Sequence, residues 1–128
     1  IELVKKFPAQ RFVLDHMAKP QISTGLSQVW VQNIQQLAAC KNVYCKMSGF
    51  LTETKDFEWE SNDFIPFLNT VTAAFGENRL MFGSDWPVCL IAGNYEDTVQ
   101  IVERFFLKRG ISVQEKVMGK NAMKFYNL

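Results

Sequence analysis

The residues of this chain best suited to chemistry sit where apolar runs stop. The stretch Arg79-Leu-Met-Phe-Gly-Ser-Asp-Trp-Pro-Val-Cys89 begins apolar and reaches Asp85 just before Trp86-Pro87. Proline has no amide proton and pushes the residue before it out of helical geometry, so a strand over this run must end there. An acid at the carboxyl end of a buried strand is where parallel α/β proteins place catalytic groups. The plainer reading is an aspartate capping the next turn. His16, the only histidine, closes an earlier run, 11–16. Its near-neutral pKa suits it to proton transfer or metal binding, and a purely structural role stands beside that. Ser48 closes the run 43–48 ahead of Gly49, where its simplest task is to start a turn. Lys46 can lay its stem along apolar surface, or pair with a carboxylate or an anionic ligand. The loop 50–61 is longer than a usual strand-to-helix connection and can act as a lid. Its Trp59, and Trp86 beyond Asp85, can stack on a sugar ring or pack in the core.

The elements that must hold these groups are readable from the pattern. Runs 11–16, 43–48 and 79–85 are rich in β-branched and aromatic residues, with approximate starts at Arg11, Asn42 and Arg79, 31 and 37 residues apart. A (β/α)8 barrel allots roughly 31 residues to each strand–helix unit. Strands alternating with helices predict a parallel sheet. One helix is expected over 27–40 with Leu26, Trp30, Ile34, Leu37 and Ala38 on its apolar side. A second carries Phe64, Phe67, Leu68, Val71 and Phe75, with Asn62 or Asp63 as cap, Pro66 in its first turn and Gly76 as terminator. Asn94 can cap a third, with Val99, Val102, Phe105 and Phe106 inward and Gly110 as its end. Ser112-Val-Gln-Glu115 reads as a capping box for the last helix, which Gly119 can interrupt. The opening residues, 1–6, look like the end of a helix. Strand alternation then sorts the faces: Phe12 and Leu14 go with His16, Tyr44 and Lys46 with Ser48, and Met81 and Gly83 with Asp85.

Composition excludes several functions. With 128 residues, 48% of them hydrophobic and a net charge of +1, the chain offers no electrostatic case for nucleic acid or an anionic membrane. No apolar run approaches the roughly 18 residues of a membrane span, and no signal peptide is visible. Cys40, Cys45 and Cys89 lack the paired spacing of a zinc site and read as buried reduced thiols, which suits the cytoplasm. Residues 1–128 are expected to form one unit without an internal boundary.

Three motifs, Leu14-Asp-His-Met-Ala-Lys-Pro20, Cys45-Lys-Met-Ser-Gly49 and Phe82-Gly-Ser-Asp-Trp-Pro87, stand in an order and spacing that resemble the amidohydrolase-related family of TIM-barrel hydrolases, which includes sugar lactonases. The ending Gly119-Lys-Asn-Ala-Met-Lys-Phe-Tyr126 is similar to that family's closing helix. The resemblance implies an α/β fold, the carboxyl-terminal part of a (β/α)8 barrel at about strands six to eight. It implies hydrolysis of a lactone, with Asp85 activating water and His16 lining the substrate site as a second catalytic group. Lys46, Ser48, Trp59 and Trp86 are the substrate-binding candidates. In metal-using members a divalent ion such as zinc would bind at Asp85, and less readily at His16; the family is also taken to include members that work without metal.

The family's first-strand His-x-His pair has no counterpart here, and the matching region would precede Ile1. The chain is therefore expected to be a fragment, inactive alone. Its open strand edges call for the missing amino-terminal half or a second copy of the chain. Three alternatives remain: a metal-dependent decarboxylase, an amide hydrolase on the same barrel, and a half-barrel serving only as an interaction module.

Overall fold

A computed structural model describes residues 1–128. The three apolar runs form β1 (Phe12–Leu14), β2 (Val43–Met47) and β3 (Leu80–Phe82). They lie parallel in the order β1-β2-β3. Helix α1 (Glu2–Lys6) precedes β1, α2 (Gln28–Ala38) joins β1 to β2, and α3 (Ile65–Phe75) joins β2 to β3. After β3 come α4 (Tyr95–Leu107) and a helical stretch made of α5 (Ile111–Glu115), a π-helical turn (Lys116–Lys120) and α6 (Asn121–Tyr126).

The local signals act largely as expected. Asn94 Oδ1 accepts from the Asp97 amide and Asp97 Oδ2 accepts from the Asn94 amide, both at 2.8 Å, a reciprocal cap that fixes the start of α4. A short 3₁₀ turn, Ser61–Phe64, leads into α3. Asp63 steadies that turn by accepting from the Glu60 amide at 2.8 Å, so neither Asn62 nor Asp63 caps α3 itself, which begins after Phe64. Pro66 sits in the first turn of α3, and Gly76, at φ +68°, ends it. The capping box at Ser112 does not form. Gly110 takes φ +106° and its carbonyl accepts from the amides of Val113 and Gln114, so the helix starts at Ile111 and Ser112 falls inside its first turn. Gly119 lies in the π-helical turn, where the helix widens without stopping.

One face of the sheet is the core. Val43, Cys45, Met47 and Leu80 bury against Ile34 and Ala38 of α2, Phe67, Leu68, Val71 and Phe75 of α3, and Val102 and Phe106 of α4. The sheet register corrects the expected alternation in the first strand. Phe12 pairs with Val43 and Leu14 with Cys45, so Phe12 and Leu14 point to the helices, and Val13, opposite Tyr44, points the other way. In the third strand the expectation holds: Lys46 is level with Met81, and both share the face opposite the helices. Met81 is nonetheless buried.

The amino ends of the strands are tied by side chains bonded to backbone carbonyls. Arg79 donates to the carbonyls of Ala38, Cys40 and Val43, at 2.8, 3.1 and 2.9 Å. Asn42 Nδ2 reaches the carbonyls of Val4, Phe7 and Gln10, and Asn121 Nδ2 those of Glu77 and Leu80, at 2.7 and 2.8 Å. Cys45 and Cys89 are buried thiols, whereas Cys40 is partly exposed, and none forms a disulfide. Burial pushes the Cys45 thiol well above its ordinary pKa and leaves it inert. No helix is long and apolar enough to cross a membrane.

Asn121 is the clasp most open to test. Asn121→Leu keeps the volume but leaves the Glu77 and Leu80 carbonyls without their donor. It should cost about 2–4 kcal/mol in urea unfolding, a buried unpaired polar group being worth about 1–3 kcal/mol. A loss under about 0.5 kcal/mol would show that solvent or a neighbour replaces it.

Candidate functional site

At the carboxyl ends of the strands the backbone leaves regular geometry twice. β1 stops at Leu14, and His16, Met17, Ala18 and Lys19 follow with φ of 51°, 50°, 58° and 47°. None is glycine, and the left-handed region costs an L-residue about 1–2 kcal/mol. Tertiary contacts hold the turn. Met17 is fully buried, its carbonyl accepts from the Trp30 indole of α2 at 3.0 Å, and Lys19 forms an ion pair with Glu53 at 2.9 Å. The second departure is Asp85 itself, at φ +58°, followed by a cis Trp86-Pro87 bond.

These turns bring the expected residues together by an unexpected route. His16 does not inherit its direction from strand alternation; the left-handed turn swings it over the sheet. Its Nδ1 lies 2.9 Å from Ser48 Oγ, and its Nε2 lies 3.2 Å from Asp15 Oδ2 and 3.6 Å from Asp85 Oδ1. Nε2 faces carboxylate oxygens, a geometry that suits a proton on Nε2 and leaves Nδ1 to accept from the Ser48 hydroxyl. Ser48, read first as a turn residue, is buried and holds the imidazole. Glycine is required beside it. Gly49 sits at φ +65°, and a Cβ there would come within 2.6 Å of His16 Nδ1. Gly83 also leaves room, since a Cβ on it would approach Ser48 Cβ at 3.1 Å.

Lys46 finds a carboxylate partner: its ammonium lies 3.3 Å from Asp15 Oδ1. Asp15 was not anticipated. With the register known, Val13 points inward and Asp15 continues that alternation, which is the signal that an alternation anchored on His16 concealed. Asp85 is the most sheltered acid of the group, its side chain 12% exposed. The notch lined by Gly49, Leu51, Thr52, Asp85, Cys89 and Thr98 has no space for a water molecule.

The two tryptophans part company. Trp59 donates its indole N–H to the Ala92 carbonyl at 2.7 Å and its ring lies 5.6 Å from that of Phe64, a packing role within the loop. Trp86 is 65% exposed beside Asp85. The loop 50–61 is anchored by buried Phe50 and Leu51 and carries two short 3₁₀ turns.

As a metal centre the set is incomplete. No group of three or more His, Cys, Asp or Glu side chains is placed to hold an ion, and the imidazole has its two nitrogens turned to Ser48 and to the carboxylates.

Parallel strands linked by helices, with an imidazole, a lysine and carboxylates gathered at their carboxyl ends, define a section of a (β/α)8-barrel enzyme-type scaffold. The amidohydrolase family model matches residues 1–128, and the chain belongs to that family. An L-fucono-1,5-lactonase from Burkholderia ambifaria is 36% identical over 138 aligned positions, covering all of this chain and 45% of that protein. An L-rhamnono-gamma-lactonase from Scheffersomyces stipitis is 26% identical, covering all of this chain and 44% of its own length. An amidohydrolase from Burkholderia multivorans, solved with bound zinc, superposes with a TM-score of 0.90 at 34% identity, covering 99% of this chain and 47% of that one. The chain thus spans just under half the length of these relatives, and its fold fits the carboxyl-terminal part of their barrel.

The imidazole position supplies a structural test. Gly49→Ala should displace His16 and break the Ser48 contact in a crystal structure. Gly76→Ala, equally left-handed at φ +68° but with no atom within 4 Å of the added carbon, should leave that contact intact. An unmoved His16 in Gly49→Ala would show that the backbone yields instead.

Proposed function

We propose that the protein to which these residues belong hydrolyses a sugar lactone and that Asp85 is its general base. The observation that carries this reading is the approach of His16 Nε2 to Asp85 Oδ1 at 3.6 Å, an imidazole nitrogen beside a sheltered carboxylate at the open ends of parallel strands. The lactonase names of the relatives support the substrate class.

Asp85 takes a proton from water as the water oxygen bonds to the lactone carbonyl carbon. His16 Nε2–H donates to the carbonyl oxygen as it gains negative charge, and Ser48 keeps that nitrogen the protonated one. Collapse of the tetrahedral adduct breaks the ring C–O bond, and the ring oxygen leaves with a proton returned from the Asp85 carboxyl. The product is the open hydroxy acid. In this reading Lys46 and the exposed ring of Trp86 hold the sugar, whereas Trp59 packs within the loop 50–61.

Where a divalent ion such as zinc takes part, Asp85 is the side chain of this chain best placed to bind it, with His16 second. The remaining donors would come from outside these residues, and no step above passes through a metal. The sheet has a strand partner on only one side of β1 and of β3. Completion by the rest of the barrel, rather than by a second copy, accords with relatives about twice as long.

In the assembled enzyme Asp85→Asn should lower turnover by a factor on the order of 10² or more, the scale of a lost general base, with little change in stability. Ser48→Ala should cost less, because it loosens the imidazole without removing it. Release of acid from a sugar lactone measures both. Full activity in Asp85→Asn would reduce that residue to a turn cap.

A further inference from the structure

We propose that Asp15 is a specificity-determining residue that confines the site to uncharged lactones by cancelling the charge of Lys46; the inference rests on the lactone-hydrolase reading. Lys46 is the cation that rises from β2 on the inner face of the sheet, where it would be the natural anchor for a substrate carboxylate. Its ammonium is already engaged by Asp15 Oδ1 at 3.3 Å. Lys19, in the turn after β1, is held by Glu53 Oε1 at 2.9 Å. Asp85 adds a carboxylate 3.6 Å from His16 Nε2, a nitrogen that also lies 3.2 Å from Asp15 Oδ2.

Among these residues a substrate carboxylate meets two acids, and both lysines are already paired. Like charges at contact distance in a partly sheltered site repel strongly. Sugar hydroxyls meet the opposite situation. The Asp15 carboxylate accepts from them and the Lys46 ammonium donates to them, side by side, so the same ion pair that rejects an anion suits a polyol. Half of the Asp15 side chain is open to solvent, which leaves its outer lone pairs available.

The test uses the full-length enzyme and two ring-matched probes, D-glucono-1,4-lactone and D-glucaro-1,4-lactone, which differ by a terminal hydroxymethyl against a carboxylate. Calorimetric binding should favour the neutral lactone in the natural protein. Asp15→Asn keeps the shape and frees Lys46; because Asp15 Oδ2 also lies 3.2 Å from His16 Nε2, the ratio of the two binding constants rather than turnover is the readout. The substitution should shift the preference toward the carboxylated lactone by a factor on the order of ten or more, as release of one charge pair would. Adding Lys46→Met should cancel the shift. A merely structural Asp15 would weaken both lactones alike, and an unchanged ratio in Asp15→Asn overturns the proposal, as does a natural preference for the carboxylated lactone. Because binding is read apart from turnover, an enzyme that shows the predicted preference yet opens neither lactone would sink the hydrolase reading alone.

Discussion

Four consecutive left-handed residues without a glycine are the constraint on which the site depends. A turn of this kind is unfavourable in isolation, by about 1–2 kcal/mol for each residue. It persists because burying Met17 contributes about 1.5–3 kcal/mol and because Trp30 and Glu53 secure its two ends. The return for that strain is direction. β1 ends with Leu14 facing the helices, and only an abrupt reversal can carry the imidazole of His16 over the opposite face to Ser48 and Asp85. Strain of this sort is found where the surrounding structure overdetermines the backbone, and functional sites are such places.

The rest of the fold serves that geometry from a distance. Side-chain amides and a guanidinium tie the amino ends of the strands to backbone carbonyls, fixing their relative height. Height decides what meets what at the other end. Lys46 rises beside Asp15, Gly83 stays bare so that Ser48 fits, and Gly49 lacks the carbon that would strike the imidazole. The chemistry at the carboxyl ends thus depends on packing and hydrogen bonding elsewhere in the sheet.

How much of this the sequence revealed follows from which interactions are local. Periodicity and caps are local, so the strands, α3 with Pro66 and Gly76, and α4 with its Asn94 cap were legible. That Asp85 and His16 stand at strand ends was legible from their places after apolar runs, and their 3.6 Å approach was not. The register of β1 was not, because alternation had to be anchored at one residue, and His16 lies beyond the point where the strand ends. No pattern of residue types announces a left-handed run of His, Met, Ala and Lys; it arises from contacts with α2 and with the 3₁₀ turn Leu51–Glu53, both distant in sequence. Asp15 was hidden by the same error. Ser112 failed as a cap because Gly110 could take a backbone angle that starts the helix earlier.

In the proposed reaction Asp85 activates the water that opens a lactone ring, with His16 on the carbonyl oxygen. A crystal structure of the full-length enzyme with a lactone analogue bound tests it most directly. A water or hydroxyl should lie within hydrogen-bond distance of an Asp85 oxygen and aligned on the carbonyl carbon, with His16 Nε2 on the carbonyl oxygen. A ligand bound away from both residues, with Asp85 bonded only to the amides of its own turn, would contradict it.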